Sequence, residues 1–261
     1  MTKIALCVEY VGTNYCGWQR QLECDSVQAQ VEKALSSIAV HEVGVRCAGR
    51  TDTGVHAIGQ VIHFETPVTR PNKAWIRGVN TKLPDDIRIR WAKEIDEDFN
   101  ARFSAIARQY RYVIYNRNVN SAVLNGRVTW DPYDIDVALM NEAAQKLLGE
   151  NDYSSFRASG CQANHAVREV QSISVVRKGN MIFIDIQANS FLHHMVRNIA
   201  GTLLQIGKKH KPVEWIVELL LAKDRTLAAP TAPAHGLYFV NAIYPDKFNI
   251  PLVPLDEVLW Q

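Results

Sequence analysis

Read for the spacing of its apolar residues, the chain runs through one series of elements twice. Ile4, Leu6, Val8 and Tyr10 alternate as a strand, and Val27, Val31, Leu35 and Ile38 then recur at helical spacing behind Asp25 and Gln28, which are placed as a capping box. Short strands are expected at 43–48 and 59–65, a short helix around Trp75 at 72–79, and a strand carrying Ile87, Ile89 and Trp91. The second half opens on a strand at 109–116, with Tyr110, Tyr112 and Ile114 on one face and Arg111, Val113 and Tyr115 on the other. A helix over 135–148 follows, with Asp134 as its cap and Gly149 as its stop. Strands at 170–177 and 181–188 form a hairpin across Gly179-Asn180. A long helix over 192–206 buries Met195, Ile199, Leu203 and Ile206; another helix covers 213–221, and a last strand covers 237–244.

Each half therefore reads β-α-β-β-α-β, the second with one added helix. That order is the split βαβ plan, so the expected class is α+β, with two ferredoxin-like halves, 1–105 and 106–261, packed around a central cleft. The repetition lies in the order of elements and not in the residues themselves. No linker rich in Pro, Gly or Ser separates the halves, which favours close packing, and clefts between domains favour ligands.

A chain of 261 residues, 47% hydrophobic and 21% charged, buries a full core without metal or disulfide support. No run approaches the roughly 20 apolar residues of a membrane helix, and the N-terminus leads into a strand pattern rather than a signal peptide. The five cysteines include no CxxC pair and are read as reduced thiols of a cytoplasmic protein. The net charge of +2 says little, but its distribution says more. No acid occurs from Phe99 to Trp130, a stretch that holds Arg102, Arg108, Arg111, Arg117 and Arg127. None occurs from Gln187 to Val213, where Arg197, Lys208, Lys209 and Lys211 fall. Such stretches suit either an anionic partner or an ordinary solvated face.

Four segments carry chemistry. The loop Ala48-Gly49-Arg50-Thr51-Asp52-Thr53-Gly54-Val55-His56-Ala57 holds two glycines, an arginine, an aspartate and a histidine between two strands. Asp52 can be a turn aspartate bonded to its own backbone. With Arg50 two residues away it can also be an ionised nucleophile or base. Asp52-Thr53-Gly54 matches the aspartic-protease triplet too, but that chemistry needs a second carboxylate, which only a second copy of the chain would supply. On the strand at 109–116, Tyr110 offers a ring to stack on a base and Arg111 a cation for phosphate. The segment Phe191-Leu192-His193-His194-Met195-Val196-Arg197 places adjacent histidines about 100° apart on a helix, the wrong spacing for a shared metal, and sets Arg197 against the positive end of the helix dipole. The loop from Ala229 to Tyr238 carries Pro230 and Pro233 and sets Leu237 at the start of a strand. There is no Walker loop, GxGxxG or Gly-x-Ser-x-Gly.

Together with Glu9-Tyr10-Val11-Gly12, Gly17-Trp18-Gln19-Arg20-Gln21 and Ala101-Arg102-Phe103-Ser104-Ala105, these segments resemble the TruA family of tRNA pseudouridine synthases from about residue 3 to 244. The resemblance implies two ferredoxin-like halves, a homodimer, and no cofactor. It implies isomerisation of uridines at positions 38, 39 and 40 of the tRNA anticodon stem-loop. By resemblance Asp52 is the essential aspartate. Arg50 is the arginine that opens the stem and pairs with it, Tyr110 the tyrosine that stacks on the target base, and Arg197 and Leu237 the pocket-lining arginine and leucine. Thr53 stands where the family more often has alanine, and His193 where an aromatic or basic residue is more common. A non-catalytic RNA-binding module is the rival reading, since strand aromatics on such a fold also bind RNA.

Overall fold

A computed structural model describes residues 1–255. The fold is mixed α and β, and the chain divides into two compact units. Among the described residues, one comprises 1–106 and 239–255; the other runs from Ala107 to Tyr238.

In the first unit, β1 (Thr2–Tyr10) lies antiparallel between β3 (His56–Thr66) and β4 (Ile87–Ile95). The two-residue β2 (Arg46–Cys47) pairs with β3. Helix α1 (Val27–Ala39) buries Val27, Val31 and Leu35, and a π-helical turn (Ala74–Gly78) buries Trp75 against Phe64. The strand β10 (Leu237–Ile243) runs beside β3. A Cβ on Gly59 would come 2.1 Å from the Val240 carbonyl oxygen.

The expected second half included the chain's last strand and everything after it. Most of that stretch packs in the first unit instead, because Phe99 meets the rings of Tyr244 and Phe248 at 5.0 and 5.1 Å and Tyr244 donates its hydroxyl to Ala101 O at 2.7 Å. The strand expected at 43–48 shrinks to β2. Glu32 on α1 accepts from Val45 N at 3.0 Å and Ser36 Oγ from Val43 N at 2.9 Å, so helix side chains take the backbone groups a strand partner would use. The cap of α1 is Ser26, one residue past Asp25, with Ser26 Oγ accepting from Ala29 N.

The second unit holds β5 (Ala107–Asn116), β6 (Thr129–Asp131), α2 (Val137–Gln145), β7 (Gly149–Asp152), β8 (Val167–Lys178), β9 (Met181–Ala188), α3 (Met195–Gly207) and α4 (Trp215–Ala222). Its sheet order is β5-β9-β8-β7, with β6 parallel to β5. The β8–β9 hairpin turns at Gly179 and Asn180, as the spacing predicts. Helix α2 is capped by Asp136, not Asp134, through Leu139 N. Helix α3 begins at Met195 rather than Leu192, since His194 adopts a left-handed backbone (φ 61°) that ends the preceding turn.

Apart from exposed Glu65, the strand β3 is buried on both faces, so its other polar residues have no water to turn to and must be satisfied inside. Gly12 N donates to His56 Nδ1 at 3.0 Å, the Gln60 amide is bonded to the Gly49 backbone, and Ala101 N donates to His63 Nδ1 at 3.1 Å. Burial, with Lys3 and Arg46 nearby, pushes the His63 pKa down to about 4. The unfolded chain then takes up a proton near the ordinary histidine value of 6.5, before the folded chain does. Stability from this group is complete above that value and is lost as pH falls towards 4. Melting curves from pH 7 to 5 are expected to show a falling Tm that flattens in His63→Asn, which keeps an acceptor but does not titrate. An identical pH slope in both proteins would refute the assignment.

Candidate active site

The loop 49–55 joins β2 to β3 in the first unit, and its shape follows from what holds it at the back. Gln60 Nε2 donates to Gly49 O at 2.5 Å, while Gly49 N donates to Gln60 Oε1 at 3.4 Å. Two residues on, Thr51 Oγ1 shares a 2.7 Å hydrogen bond with the Tyr10 hydroxyl, and Thr51 O accepts from Trp18 N at 3.0 Å. With Gly49 and Thr51 tied inward, Arg50 is exposed and Asp52 half-buried. The chain then turns, with Val55 N donating to Asp52 O at 3.1 Å and Gly54 at φ 79°.

A second loop, 12–25, braces the first. A Cβ on Gly12 would sit 1.9 Å from Val55 O, and one on Gly17 2.5 Å from Thr51 O and 2.9 Å from Asp52 C. Cys16 and Cys24 are joined as a disulfide across this loop, against the expectation that all five cysteines are free thiols. The backbone bond from Cys16 N to Asp25 O at 2.9 Å folds the loop back and brings the two Cα atoms to 6.2 Å. Cys7 and Cys47 are free. Burial pushes the first thiol up to about 12 and the second to about 11, so neither competes with a carboxylate as nucleophile. The charge of Arg50 offsets only part of the rise at Cys47.

In the second unit, Tyr110 and Tyr112 share a face of β5 and both are buried. The Tyr110 ring meets Phe191 edge-on at 5.0 Å. The Tyr112 hydroxyl bonds Thr129 Oγ1 at 2.5 Å and donates to Pro233 O at 2.9 Å, which ties β5 to the proline-bearing loop. Arg197, near the start of α3, reaches the same loop: its Nε donates to Ala232 O at 2.8 Å, and Ala232 N donates to its carbonyl at 3.1 Å. A carbonyl therefore partners the cation that the helix dipole disfavours. Behind it, buried Asn198 accepts from Arg225 at 3.1 Å and Thr231 at 2.7 Å. Burial and the Arg197 charge lower the His235 pKa. Leu237, buried at the head of β10, follows Gly236, which packs on the Tyr112 ring.

The second unit thus brings Arg197 and Leu237 to one loop and Tyr110 to the strand that loop is tied to, while the first unit carries Arg50 and Asp52. The sequence pattern assigns no role of their own to Tyr10, Gln60, Tyr112 or Asn198. Polar residues inside otherwise apolar periodic segments were the available signal. Expectations about charge and orientation also change in the folded chain. Arg111 is not a free cation for phosphate, because its Nε and Nη2 grip Asp185 on β9 at 2.7 and 2.9 Å. Lys208 pairs with Asp131 and Lys209 with Asp136, so the acid-free stretches are partly neutralised from elsewhere in the chain. His193 and His194 precede α3 rather than lying on it, and their rings approach to 4.0 Å instead of diverging.

Comparison with known proteins bears on what this arrangement does. A family model described as tRNA pseudouridine synthase matches residues 6–104 and 143–245, more than half the chain. The tRNA pseudouridine synthase A of Hydrogenovibrio crunogenus is 66% identical over 261 residues, covering 100% of both chains. That of Shewanella frigidimarina is 55% identical over 253 residues, covering 97% of each. A solved archaeal box H/ACA sRNP Nop10–Cbf5 complex overlaps loosely, at TM-score 0.35 and 11% identity over 90% of this chain and 47% of that one.

Proposed function

The chain belongs to the tRNA pseudouridine synthase family, and from that premise we propose that it converts uridine to pseudouridine at positions 38, 39 and 40 of the tRNA anticodon stem-loop, with Asp52 as the acting carboxylate. The observation that carries the role of Asp52 is the pinning of Gly49 and Thr51, which leaves a half-buried carboxylate on a rigid, glycine-flanked turn. The reaction breaks the N1–C1′ bond, turns the base and joins C5 to C1′; C5 gives up a proton and N1 gains one. Nothing is oxidised or reduced, so the chemistry calls for no electron carrier and no outside energy.

The base must first leave the stack, at a cost of a few kcal/mol. Tyr110 is the ring that stacks on it, worth about 1–3 kcal/mol. Arg50, exposed two residues before Asp52, meets the RNA and opens the stem. Arg197, from the start of α3, and Leu237, at the end of the loop that Tyr112 and Arg197 hold in place, line the base pocket. In Tyr110→Leu the flat surface is gone and turnover is expected to fall at least tenfold, with Tyr110→Phe close to wild type; equal turnover in all three would remove Tyr110 from the site.

We read each of the two units as ferredoxin-like. The antiparallel order β4-β1-β3 with β2 beyond supports this in the first, and β5-β9-β8 with α2 and α3 in the second. We also infer a homodimer acting in the cytoplasm. Among the described residues no helix is long and apolar enough to cross a membrane. Sedimentation at micromolar concentration is expected to give about twice 29.4 kDa; a monomer at full activity would refute the dimer. The function itself is tested by incubating the protein with unmodified tRNA and mapping pseudouridine. Products at 38–40 support it, and binding without conversion would favour an RNA-binding module instead.

A further inference from the structure

We propose that Tyr10 is a positioning residue for the isomerisation, holding the Asp52 turn through Thr51; this rests on the function proposed above. Tyr10 is 2% exposed, and its hydroxyl is the one polar atom of a large buried ring. That atom is spent on Thr51 Oγ1 at 2.7 Å, and it also engages the Gln60 side chain. Gln60, wholly buried, grips both backbone groups of Gly49. A single buried polar cluster therefore ties down residues 49 and 51, while Arg50 between them is exposed and Asp52 beyond them is half-buried.

The strand register supports a built feature. Val8 pairs with Gln60 but Tyr10 pairs with Ala57, so an extra residue of β3 is looped out where the cluster forms. Irregularities of this kind re-aim side chains beside functional sites. Trp18, 5.9 Å from the Tyr10 ring, closes the same cluster by donating its backbone N–H to Thr51 O. The ring alone would fill the space equally well. The hydroxyl is what couples β1 to the loop, and a buried polar group with no task is a cost.

The test uses the full-length protein, C5-tritiated uridine in tRNA, a tRNA-binding assay and melting curves. Tyr10→Phe keeps the ring, so the fold is expected to survive. kcat is expected to fall about 10- to 100-fold, the scale of a misplacement near 1 Å, with tRNA affinity within about twofold of wild type. Thr51→Val is expected to match it, and Thr51→Ser, which restores the oxygen, to recover most of the loss. The double variant Tyr10→Phe/Thr51→Val is expected to be no slower than either single one, because both remove one contact. Turnover of Tyr10→Phe within twofold of wild type would overturn the proposal. So would failure of Thr51→Ser to do better than Thr51→Val. Absence of tritium release from the wild-type protein would instead sink the underlying reading, and the proposal with it.

Discussion

Asp52→Asn is expected to abolish tritium release from C5-labelled uridine in tRNA while leaving the protein folded and able to bind tRNA. Asparagine has the size of aspartate and keeps one acceptor oxygen, so the turn closed by Val55 N on the Asp52 carbonyl survives. What is removed is the negative charge and the pair of equivalent nucleophilic oxygens. The side chain is half-buried at the edge of the loop, so its replacement opens no cavity. For a chain of this size a loss of about 1 kcal/mol would move Tm by roughly 2–4 °C, and the shift is expected to stay within that. Binding is expected to be unchanged or slightly tighter, because one negative charge near phosphate is gone. A turn aspartate with no chemical task would give the opposite pattern, lowered Tm with residual turnover. More than a few per cent of wild-type activity, once deamidation back to aspartate is excluded, would overturn the role of Asp52.

Gly17→Ala is expected to cripple the enzyme from outside the Asp52 loop. Gly17 has φ 88°, a conformation that costs an L-residue roughly 1–2 kcal/mol. The added methyl would also meet Thr51 O at 2.5 Å and Asp52 C at 2.9 Å. Both are backbone atoms and cannot swing aside as a side chain would, so either the 12–25 loop withdraws or the Asp52 turn is pushed outward. If Asp52 is the acting carboxylate proposed above, its displacement by near 1 Å costs about a hundredfold in rate, so turnover is expected to fall by that order and Tm by several degrees. Gly44→Ala is the control: among the described residues no atom beyond its chain neighbours lies within 4 Å of its Cβ position, and both quantities are expected to stay at wild-type values. Wild-type turnover in Gly17→Ala would mean that the two loops are not mechanically coupled.

Much of the fold was legible because strand and helix periodicity is local. β1 and β5 alternate in the chain itself, α1 repeats at three- and four-residue steps, and the β8–β9 hairpin carries Gly179 and Asn180 at its turn. Element ends were less legible, since they depend on competing partners. Nothing near 43–45 announces that Glu32 and Ser36 take its N–H groups, and nothing near Leu192 announces the left-handed His194. Of the proposed site, the loop from Gly49 to Gly54 is one contiguous run, and Tyr110, Arg197 and Leu237 each stand in a short segment that can be read in one dimension.

By itself the sequence determined the mixed class, the order of elements and the residues that can do chemistry, because each rests on neighbours within a few positions. Only the tertiary structure decided which charges remain available and what holds the loop. Arg111 is silenced by Asp185, 74 residues away, and Lys208 by Asp131, so a count of acids along a window misjudges the local field. Thr51 is held by Tyr10 across 41 residues, and Phe99 by Tyr244 and Phe248 from the far end of the chain. The physical reason is the same in each case. Electrostatic pairing and burial depend on distance in space, and strand pairing makes neighbours of residues that no local pattern relates.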